Sequence, residues 1–142
     1  MYSRHGSRLP SSGDTRRMLD IHERLQAQVS ANYDAGRTQL CSQDIENIRN
    51  WRINSNISVD RNSELVETGW IELRDIARRF QSAFPTVLPS AYNRSRFIFR
   101  GTDRQRTVAS LQGFAEGLFG QNSWQTVQFE QKSDPDLLMR VC

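Results

Sequence analysis

The chain has 142 residues and a mass of 16.4 kDa, enough for one domain with a buried core, yet 37% apolar residues and a mean hydropathy of -0.67 are low for a self-contained domain and hint that parts are missing. The net charge of +3 is small and dispersed, which argues against a nucleic-acid module with its concentrated basic face and interleaved aromatics. No apolar run approaches the roughly 20 residues a membrane helix needs, so no transmembrane segment is expected.

In chain order, Tyr2-Ser3 reads as the tail of a strand, followed by a loop from Arg4 to Gly13 rich in Gly, Ser and Pro. Ser12 or Asp14 can cap a helix over about 14–31, whose Met18, Ile21, Leu25 and Val29 recur at helical spacing and predict a buried stripe. A loop over 32–41 leads to a short helix capped by Ser42, with Asp44 and Glu46 in its first turn and Ile45 and Ile48 inward. Residues 50–63 are polar and irregular.

A second long helix is expected over 65–83, with Leu73, Ile76, Ala77, Phe80 and Phe84 as its apolar stripe and Pro85 and Pro89 as its stop. A strand follows at 96–100, then a loop at Gly101-Thr102-Asp103 and a third long helix over 103–119 that buries Val108, Leu111, Ala115 and Leu118 before Gly120. Residues 125–129 alternate as a half-covered strand, and a last turn is expected at 137–139. Strands joined by helices make this an α/β chain, in which ligands bind beyond the carboxyl ends of parallel strands. The arginine-bearing loops 4–8 and 100–106 are expected at that rim.

Arginine supplies nearly all of the positive charge, and its planar fork matches phosphate oxygens in pairs. The stretch Arg4-His5-Gly6-Ser7-Arg8-Leu9-Pro10 sets one imidazole between two guanidinium groups. A histidine nucleophile attacks phosphorus in line while its second ring nitrogen is held by a hydrogen bond, and fixed donors stabilise the charge spread over the equatorial oxygens. His22-Glu23, in contrast, is explained by helix periodicity, and Gln26 stands where a zinc motif would need its second histidine, so no metal site is expected.

The stretch from Arg4 to Pro10 resembles the RHGxRxP motif of the histidine acid phosphatases, the second branch of the histidine phosphatase superfamily. The rest of the chain is similar to one subgroup, the multiple inositol polyphosphate phosphatases. Leu65-Val66-Glu67-Thr68-Gly69 and Phe84-Pro85 resemble the entry and end of that subgroup's long helix. Thr102-Asp103-Arg104-Gln105-Arg106, Ala109-Ser110 and Phe114-Ala115-Glu116-Gly117-Leu118 resemble its second phosphate-binding segment, and Leu138-Met139-Arg140 a further landmark.

The resemblance implies a phosphoglycerate-mutase-like layered α/β sandwich, present as an incomplete domain over 1–142 with about 32–63 as a variable helical and loop insertion. It implies His5 as the catalytic nucleophile, with Arg4, Arg8, Arg106 and Ser11 binding phosphate and Arg16 and Arg17 reaching further phosphates of the substrate. Arg106 is chosen over Arg104 by its distance to Phe114, and Ser11 stands where the family usually has threonine. The implied partner is a phosphorylated small molecule, an inositol polyphosphate and also 2,3-bisphosphoglycerate, with no cofactor.

The family's general acid lies in a late His-Asp or His-Ala-Glu motif, and no histidine follows His22. Without an acid a factor on the order of 10²–10⁴ in rate is forfeited. The alternative reading is therefore a truncated, non-catalytic phosphate-binding product; the mutase-like first branch fits Arg8 and Pro10 poorly. The family is secretory or luminal, and the sequons Asn56-Ile57-Ser58 and Asn93-Arg94-Ser95 agree with a glycoprotein, although no signal peptide stands before the motif. Cys41 and Cys142 could be paired or free.

Overall fold

The computed structural model describes residues 2–132. The chain forms two compact units, one from both flanks of the sequence (up to Leu9 and from Glu64 onward) and one from the stretch Pro10–Ser63 between them.

In the Pro10–Ser63 unit, helix α1 spans Ser12–Asp34. Its cap is Ser11, one residue before the expected Ser12, because Ser11 has extended backbone and its Oγ accepts the Asp14 amide at 3.2 Å while donating to the Asp14 carboxylate at 2.6 Å. The helix runs past the expected end at 31 and stops at Ala35, where Gly36 takes the left-handed conformation (φ +67°). Helix α2 spans Ser42–Asn50; Cys41, not Ser42, occupies the cap position and makes no side-chain bond. The carbonyls at the end of α2 are capped by Gln26 Nε2, which donates to Ile48 at 2.6 Å and to Arg49 and Trp51 at 3.1 Å.

The predicted buried stripe of α1 is mostly uncovered: Met18, Ile21 and Leu25 are 39%, 45% and 55% exposed. They face Ile48, Trp51 and Ile57 across an apolar groove of about 650 Å³. The reason is length. Nine residues of α2 make a rod of about 14 Å, too short to cover a 23-residue helix of about 35 Å.

The other unit contains α3 (Glu67–Ala83), β1 (Phe99–Thr102), α4 (Gln105–Phe119), a 3-10 turn at Ser123–Gln125 and β2 (Phe129–Lys132). β1 and β2 pair in parallel with Phe99 opposite Phe129, and α4 lies between them in the chain, the β-α-β arrangement that parallel strands require. Both strands start three to four residues later than their expected spans of 96–100 and 125–129. Before β1, the amides of Arg96 and Phe97 turn back to the Asn93 carbonyl; before β2, the 3-10 turn consumes the alternating segment. Helix α3 starts at Glu67 rather than 65 because Leu65 is taken up in an antiparallel bridge with Arg8, and α4 starts at Gln105 rather than 103. Tyr2 and Ser3, expected as a strand tail, lie outside both strands.

The core joins Ala77 of α3, Ala115 and Leu118 of α4, Phe99 and Val127. Phe119 is the aromatic hub, with ring centroids 5.0 Å from Phe97, 5.4 Å from Tyr92 and 6.0 Å from Phe99. Helix α4 turns Gly113 toward Trp70 and Gly117 toward Arg74 and Ala77 of α3; Ser110, Ala115 and Leu118 are buried as well, whereas the expected Val108 and Leu111 are only half-buried. A Cβ on Gly117 would meet the Arg74 carbonyl and come within 2.6 Å of Ala77 Cβ, so the two helices touch almost backbone to backbone. Phe80 and Phe84, expected in the stripe, are 40% and 53% exposed and stack on each other. No helix among the described residues is long and apolar enough to cross a membrane. Cys41 is exposed; Cys142, the expected turn at 137–139 and Arg140 lie outside the described residues.

Candidate active site

The stretch 4–9 has no regular structure of its own, so its shape is set by what it is tied to. It runs antiparallel to residues 64–66: the Leu9 amide donates to the Glu64 carbonyl at 2.8 Å, and the Val66 amide donates to the Ser7 carbonyl at 3.1 Å. Gln105 Oε1, at the start of α4, accepts the Leu65 amide at 2.9 Å. Loop, α3 entry and α4 entry are thereby fastened together.

Two glycines make this crossing possible. A Cβ on Gly6 would lie 2.8 Å from Gly69 Cα, and one on Gly69 would lie 2.7 Å from the Ser7 amide nitrogen. Only hydrogen fits at either position. The glycine of the first motif and the glycine of the α3 entry motif are two halves of one contact.

His5 is half-buried, and its Nδ1 donates to the Gly6 carbonyl at 2.8 Å. A carbonyl can only accept, so Nδ1 carries a proton, and in the neutral ring the lone pair is on Nε2. The Gly6 amide donates to Ser110 Oγ at 3.1 Å, and Ser110, only 5% exposed, donates to the Arg106 carbonyl at 2.7 Å. One hydroxyl of α4 thus links the residue after His5 to the backbone of Arg106.

Arg106 itself lies in the first turn of α4, half-buried, with Nε fully enclosed and without a hydrogen-bond partner. Arg104 is the cap residue and is exposed. This helix end is electrostatically unusual, since two guanidinium groups stand at the positive pole and no acidic residue is in the first turn. Each cation there is disfavoured by about 0.3–1 kcal/mol, and an anion reverses the sign. Arg4 is exposed; Arg8 is half-buried and donates from one guanidinium nitrogen to the Leu9 carbonyl at 2.9 Å.

Glu72, in the second turn of α3, accepts from the Ser7 amide at 2.8 Å and from the Ser7 hydroxyl at 2.7 Å. These bonds, the hydroxyl's foremost, hold its carboxyl below the usual carboxylate range.

Of the residues read from the sequence, His5, Arg4, Arg8 and Arg106 belong to this unit, and the Gly6–Ser110–Arg106 link joins the two segments that carry them. Ser11, Arg16 and Arg17 belong to the other unit. There Ser11 caps α1, Arg17 lies 3.8 Å from Asp14, and Arg16 is exposed. Sequence reasoning placed Gly69 and Ser110 within family motifs without giving either a contact, and passed over Glu72. The spacing of Ser110, Gly113 and Gly117 on one face of α4 was a readable sign of close helix packing; nothing local marks Glu72.

A model of the histidine phosphatase superfamily (branch 2) matches residues 1–140. Multiple inositol polyphosphate phosphatase 1 of Drosophila melanogaster is 38% identical over 146 residues, covering 99% of this chain and 30% of the relative. The protein of the same name from Homo sapiens is 30% identical over 117 residues, covering 82% and 23%. The chain therefore spans less than a third of the length of the curated relatives it matches. No solved structure matches it. With the family's model extending over residues 1–140, and the histidine and arginine segments of that match brought together around Gly6 and Ser110, the chain belongs to branch 2 of the histidine phosphatase superfamily.

Proposed function

We propose that this chain carries the nucleophile and phosphate cradle of a phosphomonoesterase acting on inositol polyphosphates, within a phosphoglycerate-mutase-like α/β fold. The observation that carries the reading is the His5 geometry: Nδ1 is committed to the Gly6 carbonyl, which leaves Nε2 as the nucleophile. Nε2 attacks phosphorus, the P–O bond to the alcohol breaks with its electron pair going to oxygen, and a phosphohistidine results. Water then attacks phosphorus, the P–N bond breaks, and the ring nitrogen recovers its lone pair. Arg4, Arg8 and Arg106 hold the three equatorial oxygens, and the unpartnered Nε of Arg106 supports its part in this. By the resemblance, Ser11, Arg16 and Arg17 are assigned to phosphate as well.

Protonation of the leaving alkoxide requires an acid that the family places in a later His-Asp or His-Ala-Glu motif, and His22 is the last histidine here. Luminal or secreted location, glycosylation at the sequons and activity on 2,3-bisphosphoglycerate rest on the resemblance to the inositol polyphosphate phosphatases alone.

The test is calorimetric titration with inositol hexakisphosphate. The chain is expected to bind it, with Arg106→Ala weakening binding at least tenfold and His5→Ala leaving it within about threefold, since removing a charge-assisted bond costs about 1.5–3 kcal/mol. Binding that survives Arg106→Ala unchanged overturns the assignment of the cradle.

A further inference from the structure

The peptide unit between Gly6 and Ser7 is used at both ends. Its carbonyl accepts from His5 Nδ1 at 2.8 Å, and its N–H donates to Glu72 Oε2 at 2.8 Å. A trans peptide points these two groups in opposite directions, so His5 and Glu72 sit at the two poles of one plane, and no cis bond occurs among the described residues.

We infer that Glu72 is a positioning residue for His5, acting through the peptide unit that joins Gly6 to Ser7. This rests on His5 being the nucleophile, as proposed above. Three observations carry it. First, the carboxylate is not a casual neighbour: it takes both donors of Ser7, the amide and the hydroxyl, which fixes the orientation of the peptide plane. Second, an anionic acceptor on a peptide N–H polarises the amide and makes its carbonyl a stronger acceptor, since bonds in a chain reinforce one another. Third, the group at that carbonyl is the one that decides which ring nitrogen of His5 carries the proton.

The free imidazole side chain favours the proton on Nε2, the nitrogen that must be bare for attack. The protein has to oppose that preference, and a neutral carbonyl next in the chain is a modest tool for it. Glu72 strengthens the carbonyl and holds it in place. The arrangement is a carboxylate–histidine pair with one peptide inserted between the partners. Glu72 does not touch the substrate phosphate in this scheme, and no proton moves to it.

Glu72→Gln is the variant to make, because it keeps the size and one acceptor while removing the charge; Ser7→Ala is its control, since it deletes the hydroxyl contact and leaves the amide–carboxylate bond. The chain has two histidines, so His22 in the other unit serves as an internal reference. Long-range ¹H–¹⁵N correlation spectra at mildly alkaline pH report which ring nitrogen of each histidine is protonated. The rate of phosphoryl capture is read with p-nitrophenyl phosphate, whose leaving group departs without a proton and so needs no acid.

In the unchanged chain and in Ser7→Ala, His5 is expected as the Nδ1–H form. In Glu72→Gln the Nε2–H form of His5 rises severalfold, His22 is unmoved, and capture slows about tenfold, the lower end of what losing an outer carboxylate costs at a ligating histidine. Arg4, Arg8 and Arg106 are the same in all three proteins, so the difference isolates Glu72. An unchanged His5 tautomer in Glu72→Gln overturns the inference, whatever happens to its melting temperature. Should the unchanged chain capture no phosphoryl group, the proposed function fails, and the tautomer comparison still decides the role of Glu72.

Discussion

Gly6 and Ser110 lie 104 positions apart in the chain and are joined by a hydrogen bond of 3.1 Å from the Gly6 amide to Ser110 Oγ. That bond ties the residue after His5 to a serine one helical turn from Arg106, so the placement of His5 relative to Arg106 depends on a serine hydroxyl.

Ser110→Ala therefore strands a buried amide. A buried donor without a partner costs about 1–3 kcal/mol, and urea unfolding of the variant is expected to show a loss in that range. A loss below about 0.5 kcal/mol would mean that the loop simply relocates its amide to water.

The glycines divide into those that cannot accept a methyl group and those that can. Gly117→Ala drives a Cβ against the Arg74 carbonyl and Ala77, and a cost of about 1–3 kcal/mol or more is expected from overpacking. Gly13→Ala, in the first turn of α1 with its nearest outside atom 3.9 Å away, is expected to stabilise by up to about 1 kcal/mol. Thermal melts of the two variants should move in opposite directions; a shift in the same direction contradicts the packing described.

Acid should loosen the motif loop in a defined window. Because the Ser7 bonds lower the folded-state pKa of Glu72, its charged form contributes stability at pH values above the ordinary carboxylate range. That contribution is lost as pH falls through the lowered folded value. Melting temperature is thus expected to drop between mildly acidic and strongly acidic pH, and Glu72→Gln to flatten that part of the profile. A profile of identical slope in the variant argues that the bonds to Ser7 carry no net free energy.

How much of this was legible in the residues themselves differs from element to element. The α3–β1–α4–β2 order could be read because Leu73, Ala77, Ala115 and Leu118 recur at helical spacing and the strand segments are branched and aromatic. Strand starts were misplaced because turns at Asn93 and Asn122 compete for the same residues, a contest that periodicity does not register. The α1 stripe was legible as a pattern and misleading as burial, since a stripe states only what would be buried if a partner covered it. His5, Arg4 and Arg8 stand in one short motif, whereas Glu72 is tied to Ser7 across 65 positions and has no local signature.

Arg106 and Arg104 should separate cleanly. Arg106→Lys keeps the charge but loses the planar fork, and inorganic phosphate affinity is expected to fall about tenfold, while Arg104→Lys, at an exposed cap, changes it by less than about twofold. Equal losses from the two substitutions would contradict the choice of Arg106 over Arg104.

The most direct test of the central claim is the fate of phosphorus. The chain is mixed with p-nitrophenyl phosphate, quenched in alkali, where phosphohistidine survives, and read by ³¹P NMR and peptide mass spectrometry. The account predicts a burst of about one equivalent of p-nitrophenolate and a phosphoryl group on His5 Nε2, both abolished in His5→Ala. A phosphoryl group that persists in His5→Ala, or a burst with no phosphohistidine at residue 5, contradicts it.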